Sequence, residues 1–73
     1  MDKKEIIKEL DIVALLEDLP GKHLSKGTIG TIVHVYENNF YEVEFADLNG
    51  HAYALLTLSA EKLLLLKHDP VIA

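Results

Sequence analysis

Apolar and polar residues alternate most clearly in the run FYEVEF. Tyr41, Val43 and Phe45 share one side of an extended chain, whereas Glu42 and Glu44 share the other, because successive side chains of a strand point to opposite faces. This alternation predicts a β-strand with one buried and one solvated face.

Further apolar runs predict strands on both sides of this one, at residues 12–16, 31–36, 51–58 and 63–66. Turn signals separate the runs. Gly27 and Gly30 bracket a tight bend before the second strand, because glycine adopts positive φ without steric cost. The run ENN is typical of a hairpin turn, and Asn49 with Gly50 forms a second turn pair. SAEK can form one helical turn capped by Ser59.

Residues 2–10 predict a short helix or a helical turn. Ile6, Ile7 and Leu10 fall on one side of it, and Asp2 followed by Glu5 three residues later is close to a capping box. A helix this short persists in water only if its apolar side docks on another surface.

These elements together predict a mostly β fold, a small five-stranded antiparallel barrel with a short N-terminal helix. We expect one domain over residues 1–73, with a helical segment at 1–10 and a frayed tail at 67–73. No repeat or linker divides the chain.

The composition narrows the function classes. Twelve carboxylates and seven lysines give a net charge of -5, and the chain has no arginine. Nucleic-acid binding relies on clustered Lys and Arg, so this balance argues against it. Cysteine is absent, and no apolar run approaches the roughly 20 residues that cross a bilayer as a helix. With 49% hydrophobic residues and no visible export signal, we expect a globular cytoplasmic protein.

Candidate chemistry is sparse. The histidines match no metal-ligand spacing; they are His23, His34, His51 and His68. Glu42 and Glu44 share a strand face at roughly 6 to 7 Å, but paired-carboxylate catalysis also requires a concave pocket. Gly27 and Gly30 form only G-x-x-G, which is too little for a phosphate loop. We therefore predict no enzyme activity, no cofactor and no metal.

Four ordered segments resemble a bacterial family of small proteins, the domain of unknown function DUF4926: LDIVALLEDLP, KGTIGTIVHV, YEVEFADLNG and ALLTLSAEKLLLL, within residues 10–66. The resemblance implies an SH3-like barrel and says little about activity. KGTIGTIV is also similar to the bend and strand of other SH3-like barrels, such as ribosome-associated KOW modules and a photosystem subunit that helps dock ferredoxin. KOW modules are typically basic, whereas this chain is acidic.

Both faces of YALLTL and LLLL are hydrophobic, although a barrel interior uses only one face. The N-terminal segment or a partner must cover the other. We expect a non-enzymatic protein-binding module or an accessory, antitoxin-like subunit, bound to another protein or to a second copy. The candidate partner surface comprises Tyr36, Tyr41, Tyr53, Glu42, Glu44, Leu56, Leu64 and Leu66.

The alternative hypothesis is a KOW-like module that binds RNA or the ribosome. It requires a lysine and aromatic stripe, for which Lys22, Lys26 and Tyr36 are the only plausible start. A small enzyme ranks last, because the chain supplies neither a pocket-forming second domain nor a catalytic motif.

Overall fold

The computed structural model describes residues 6–66, which form five strands and two one-turn 3₁₀ helices and contain no α-helix. The strands are β1 (Ile12–Leu15), β2 (Ile29–Val35), β3 (Phe40–Ala46), β4 (Ala52–Ser59) and β5 (Leu63–Leu65). The first 3₁₀ turn is Pro20–Lys22, between β1 and β2, and the second is Ala60–Lys62, between β4 and β5.

All five strands lie in one sheet, in the order β4-β3-β2-β1-β5, and every neighbouring pair is antiparallel. The prediction of a mostly β, five-stranded antiparallel fold is therefore confirmed. The prediction of a closed barrel is wrong, since β4 and β5 are the two edges of the sheet. β5 has only three residues, and it follows the second 3₁₀ turn directly. All three of its residues pair with β1.

The segment before β1 is not helical over residues 6–10, so the predicted N-terminal helix is wrong there. Leu10 has a φ of 73°, a left-handed conformation that ends any helix. Its backbone N–H donates to the carbonyl of Ile32 at 2.7 Å, so this segment extends the β1–β2 ladder. Ile7 is buried. Residues 1–5 of the predicted helix and the predicted tail at 67–73 lie outside the described residues.

The core lies on the inner face of the sheet. Its fully buried side chains are Phe45, Leu15, Ile32, Val13 and Val43. Ile7 and Leu24, from segments outside the strands, pack against this cluster. The alternation of apolar and polar residues in FYEVEF explains why β3 contributes three side chains to the core, because every second residue of that strand is buried.

A bulge in β2 changes which side chains share a face. Ile32 pairs with Val43, but the next pair joins His34 to Glu42, so Val33 is an extra residue on β2. The bulge therefore places His34 on the face of Glu42, opposite the core. Without it, the alternation from Ile32 would have turned His34 inward.

The turns are formed by residues with left-handed backbones. Asn38 and Asn39 both have a φ of 64° between β2 and β3. Gly27 has a φ of 91°, and Gly50 has a φ of 83°. Gly30 does not lie in the bend, because it pairs with Val13 inside β2.

Candidate functional site

The outer face is the side of the sheet opposite the core. Strand pairing arranges its side chains in rows that cross the strands. The rows are Thr31–Glu44–Leu55, His34–Glu42–Thr57 and Ile29–Ala14–Leu64. The first two rows span β2, β3 and β4 and contain two carboxylates, whereas the third row spans β2, β1 and β5 and is apolar.

Large apolar side chains remain exposed on this face. Six of them are 41% to 57% exposed: Ile12, Ile29, Tyr36, Phe40, Leu55 and Leu64. A sheet face in contact with water normally presents polar residues at these positions. Several large apolar side chains exposed on one sheet face are typical of interaction sites.

An open cleft of about 500 Å³ lies at one end of the outer face, where the β2–β3 turn meets the second 3₁₀ turn. It is lined by Asn38, Asn39, Phe40, Ser59, Ala60 and Glu61. The backbone N–H of Ala60 donates to the carbonyl of Asn39 at 2.8 Å, which holds the two turns together. The cleft combines an aromatic ring with amide, hydroxyl and carboxylate groups, so it suits a polar or amphipathic part of a ligand.

Glu42 lies at the centre of a polar cluster beside this cleft. Its Oε1 accepts hydrogen bonds from the Tyr36 hydroxyl at 3.2 Å and from the Thr57 hydroxyl at 2.5 Å. The His34 ring packs edge to face on Tyr36, with ring centroids 4.6 Å apart. The Nδ1 of His34 lies 3.9 Å from a carboxylate oxygen of Glu9. We call these five residues the Glu42 cluster; its contacts fix the direction in which the Tyr36 ring points.

Partial desolvation of the phenol raises the pKa of Tyr36, and the negative charge and hydrogen bond of Glu42 raise it further. Tyr36 therefore remains a neutral hydrogen-bond donor at physiological pH. Its pKa is higher in the folded chain than in the unfolded chain. The stability that its hydroxyl contributes is thus complete below the unfolded pKa of about 10, and it is lost as the pH rises through the folded value.

We expect Glu42→Gln to lower the pKa of Tyr36 towards its usual value, because the substitution removes the adjacent negative charge. The measurement is a spectrophotometric titration of phenolate absorbance, compared with the unmodified protein. Glu44→Gln is the matched control, since Glu44 shares the outer face but forms no hydrogen bond with Tyr36. An equal shift in both variants would contradict the assignment.

The structure separates the candidate partner residues. Tyr36, Glu42 and Glu44 lie near one another on the outer face, and Leu64 lies on the same face at the β5 edge. Tyr53 is exposed at the bulged end of β4, and Leu66 is half-buried just after β5.

The prediction is wrong for two of the candidates, which do not belong to this surface. Tyr41 is 7% exposed and packs in the core. Leu56 pairs with Val43 and also faces inward. The same alternation that buries Tyr41 exposes its neighbour Phe40, which was not among the candidates. His34 and Thr57 were also missed, because the β2 bulge and the strand register have no clear signal in the sequence.

The structure does not bring together the residues of the lysine and aromatic stripe. Lys22 and Lys26 lie in the connection before β2, whereas Tyr36 follows its far end. Seven extended residues separate these positions by about 23 Å. In addition, the Tyr36 hydroxyl donates a hydrogen bond to the Glu42 carboxylate, whose negative charge repels phosphate.

Within residues 6–66, no group of three or more metal-ligating side chains has a suitable arrangement for a metal ion. The same residues include no helix with the length and hydrophobicity needed to cross a membrane.

A comparison with protein families matches residues 9–65 to the family described as "Domain of unknown function (DUF4926)". No curated protein and no solved structure gives a significant match.

Proposed function

The chain belongs to the DUF4926 family, whose description assigns no activity, and we propose from its surface that it is a non-enzymatic protein-binding module. The observation that carries this proposal is the outer face. There, exposed apolar side chains lie beside two carboxylates and an open cleft. Such a mixture of aromatic, aliphatic and polar groups is typical of protein interfaces.

The charges favour a basic partner. Glu42 and Glu44 lie on the outer face, Glu61 lines the cleft, and β2, β3 and β4 contain no lysine. Tyr36 and Phe40 offer ring faces on which a lysine or arginine side chain can stack. The partner surface therefore carries Lys or Arg beside apolar residues, and its binding weakens as salt increases.

The cleft supports the assignment to a non-enzymatic protein. Ser59 is its only lining hydroxyl, and no histidine is among the described residues that line it. A serine nucleophile requires an adjacent base. The nearby Glu42 carboxylate already accepts two hydrogen bonds and lies on an open sheet face, where no enclosing wall excludes water.

We expect a photo-crosslinking amino acid placed at Phe40 to yield one discrete adduct with a second protein in cells of the source organism. Leu48 is the matched control position, because it is fully exposed in the β3–β4 turn, away from the cleft. The adduct is identified by mass spectrometry. Absence of any adduct with another protein at Phe40, or the same adducts from Leu48, would overturn the proposal.

A second variant tests the role of charge. Combining Glu44→Lys with the crosslinker at Phe40 is expected to reduce the adduct at least fivefold, because it places a positive charge opposite a basic partner. Glu17→Lys changes the net charge equally but lies in the connection after β1, where it removes only an exposed ion pair with Lys62. Equal losses in the two variants would contradict a basic partner.

A further inference from the structure

The free edge of β4 lacks the devices that usually protect a sheet edge. Its eight residues, AYALLTLS, include no charged residue, no proline and no glycine. Natural edge strands carry such residues or bulges because an open edge otherwise pairs with another chain. The one register shift in the β3–β4 pair lies near Ala46, which leaves the segment from Ala54 to Ser59 regular and unprotected.

The backbone groups of this edge alternate between its two sides. The N–H of Ala60 donates to the carbonyl of Asn39, just before β3 begins, so Leu58 and Leu56 also direct their backbone groups towards β3. The N–H and C=O groups of Leu55, Thr57 and Ser59 then point away from the sheet. β4 has no other neighbour among the described strands, so these groups are available for a new ladder.

We propose that this edge pairs in antiparallel fashion with the β4 edge of a second copy of the chain, forming a twofold-symmetric dimer with a continuous sheet. A symmetric contact brings each residue of the edge close to edge residues of the other copy, so a charged edge would oppose itself. The β4 edge is neutral and avoids this cost. The exposed Leu55 of each copy gains apolar contacts across the new ladder.

The net charge of -5 does not prevent this pairing. The carboxylates of the adjacent strand, Glu42 and Glu44, lie on β3, one strand inside the edge. In the dimer they would be three strand spacings from their counterparts, about 14 Å. That separation exceeds the Debye length of about 8 Å at physiological salt, so their repulsion is largely screened.

The contact is small, which sets the concentration at which it forms. Eight strand residues extend about 26 Å, and a ladder one strand deep buries less than the roughly 1,600 Å² of a standard interface. The dimer is therefore weak and concentration-dependent. This inference does not rest on the proposed function, since edge pairing uses the outward backbone groups of β4, although the side chains of Leu55 and Thr57 also lie on the outer face.

Size-exclusion chromatography with light scattering, on the full chain from about 10 to 500 µM, tests the proposal. The expected mass rises from 8.2 kDa towards twice that value. Leu55→Lys is expected to remain monomeric, because it places like charges at the paired edges. Leu64→Lys is the matched control: its position is similarly exposed on the same face, but it lies on the β5 edge, so this variant dimerises. A monomer throughout for the unmodified chain, or loss of the dimer in Leu64→Lys alone, overturns the proposal.

Hydrogen exchange on the unmodified chain locates the contact and decides the question if Leu55→Lys fails to fold. Between 10 and 500 µM the amides of Leu55 and Thr57 are expected to exchange several-fold more slowly, whereas those of Leu56 and Leu58, already bonded to β3, do not change. A dimer without protection of Leu55 and Thr57 overturns edge pairing. A monomer that still gives the Phe40 adduct would refute only the dimer.

Discussion

Replacement of Phe45 by alanine is expected to lower the free energy of unfolding by about 3 to 5 kcal/mol, a large part of the stability of this fold. Phe45 has no exposed surface and is the largest of the fully buried side chains. A chain of 73 residues has a total stability of roughly 4 to 11 kcal/mol. The cavity would stay open, because its neighbours include Ala54 across the ladder and Gly30 beneath the ring, which have little or no side chain to move into it.

The measurement is urea unfolding followed by circular dichroism. Phe40→Ala is the matched control, since it removes the same atoms from an outer-face position that is 43% exposed. We expect a loss of at most about 1 kcal/mol there, because those atoms are already partly in water. Equal losses for the two substitutions would show that the two faces of β3 are wrongly assigned.

The sequence was sufficient to predict those features that depend on neighbouring residues alone. The alternation in β3 determines which of its side chains are buried, and asparagine and glycine mark the turns where left-handed backbone is required. The same alternation was sufficient to place Tyr41 inside and Phe40 outside. The prediction that Tyr41 belongs to the partner surface is wrong for this reason, because Tyr41 shares the buried side of β3 with Val43 and Phe45.

Features set by competition between segments could not be predicted in this way. Residues 6–10 have a helical apolar pattern, but Leu10 instead donates its backbone N–H to the carbonyl of Ile32, in the middle of β2. The bulge at Val33 has no glycine or proline to mark it, although it places His34 beside Tyr36. Closure of the barrel would require β5 to pair with β4 at the opposite edge. β5 pairs with β1 instead, and the two edges stay apart.

The resemblance to DUF4926 is confirmed by the family match over residues 9–65. What that resemblance implied beyond membership stays a prediction, including the SH3-like relationship and the bacterial origin. The cytoplasmic location and the antitoxin-like role, inferred separately from the sequence, also stay predictions. The match carries no ligand, partner or activity to this chain, so the functional proposal rests on the outer face alone.

Gly30→Ala is the second substitution with a large expected effect, a loss of about 2 to 3 kcal/mol. Gly30 faces inward from β2, and a Cβ there would lie 2.7 Å from Cγ1 of Val43 and 2.8 Å from Cε1 of Phe45. Both neighbours are fully buried, so neither can move aside without displacing the rest of the core. The glycine is needed for space and not for a bend, because its φ is not in the left-handed range.

A control variant and a second-site variant distinguish a need for space at Gly30 from a need for a particular backbone conformation. Gly21→Ala is expected to change stability by less than about 0.5 kcal/mol, because an added methyl group there meets no atom within 4 Å. Val43→Ala creates room beside Gly30, so in a double-mutant cycle Gly30→Ala should cost clearly less in the Val43→Ala background. Additive losses would show that contact with Val43 is not what requires glycine here, which leaves the Phe45 ring or the backbone of β2 as the cause. A favourable coupling would show instead that contact with Val43 is what requires glycine at this position.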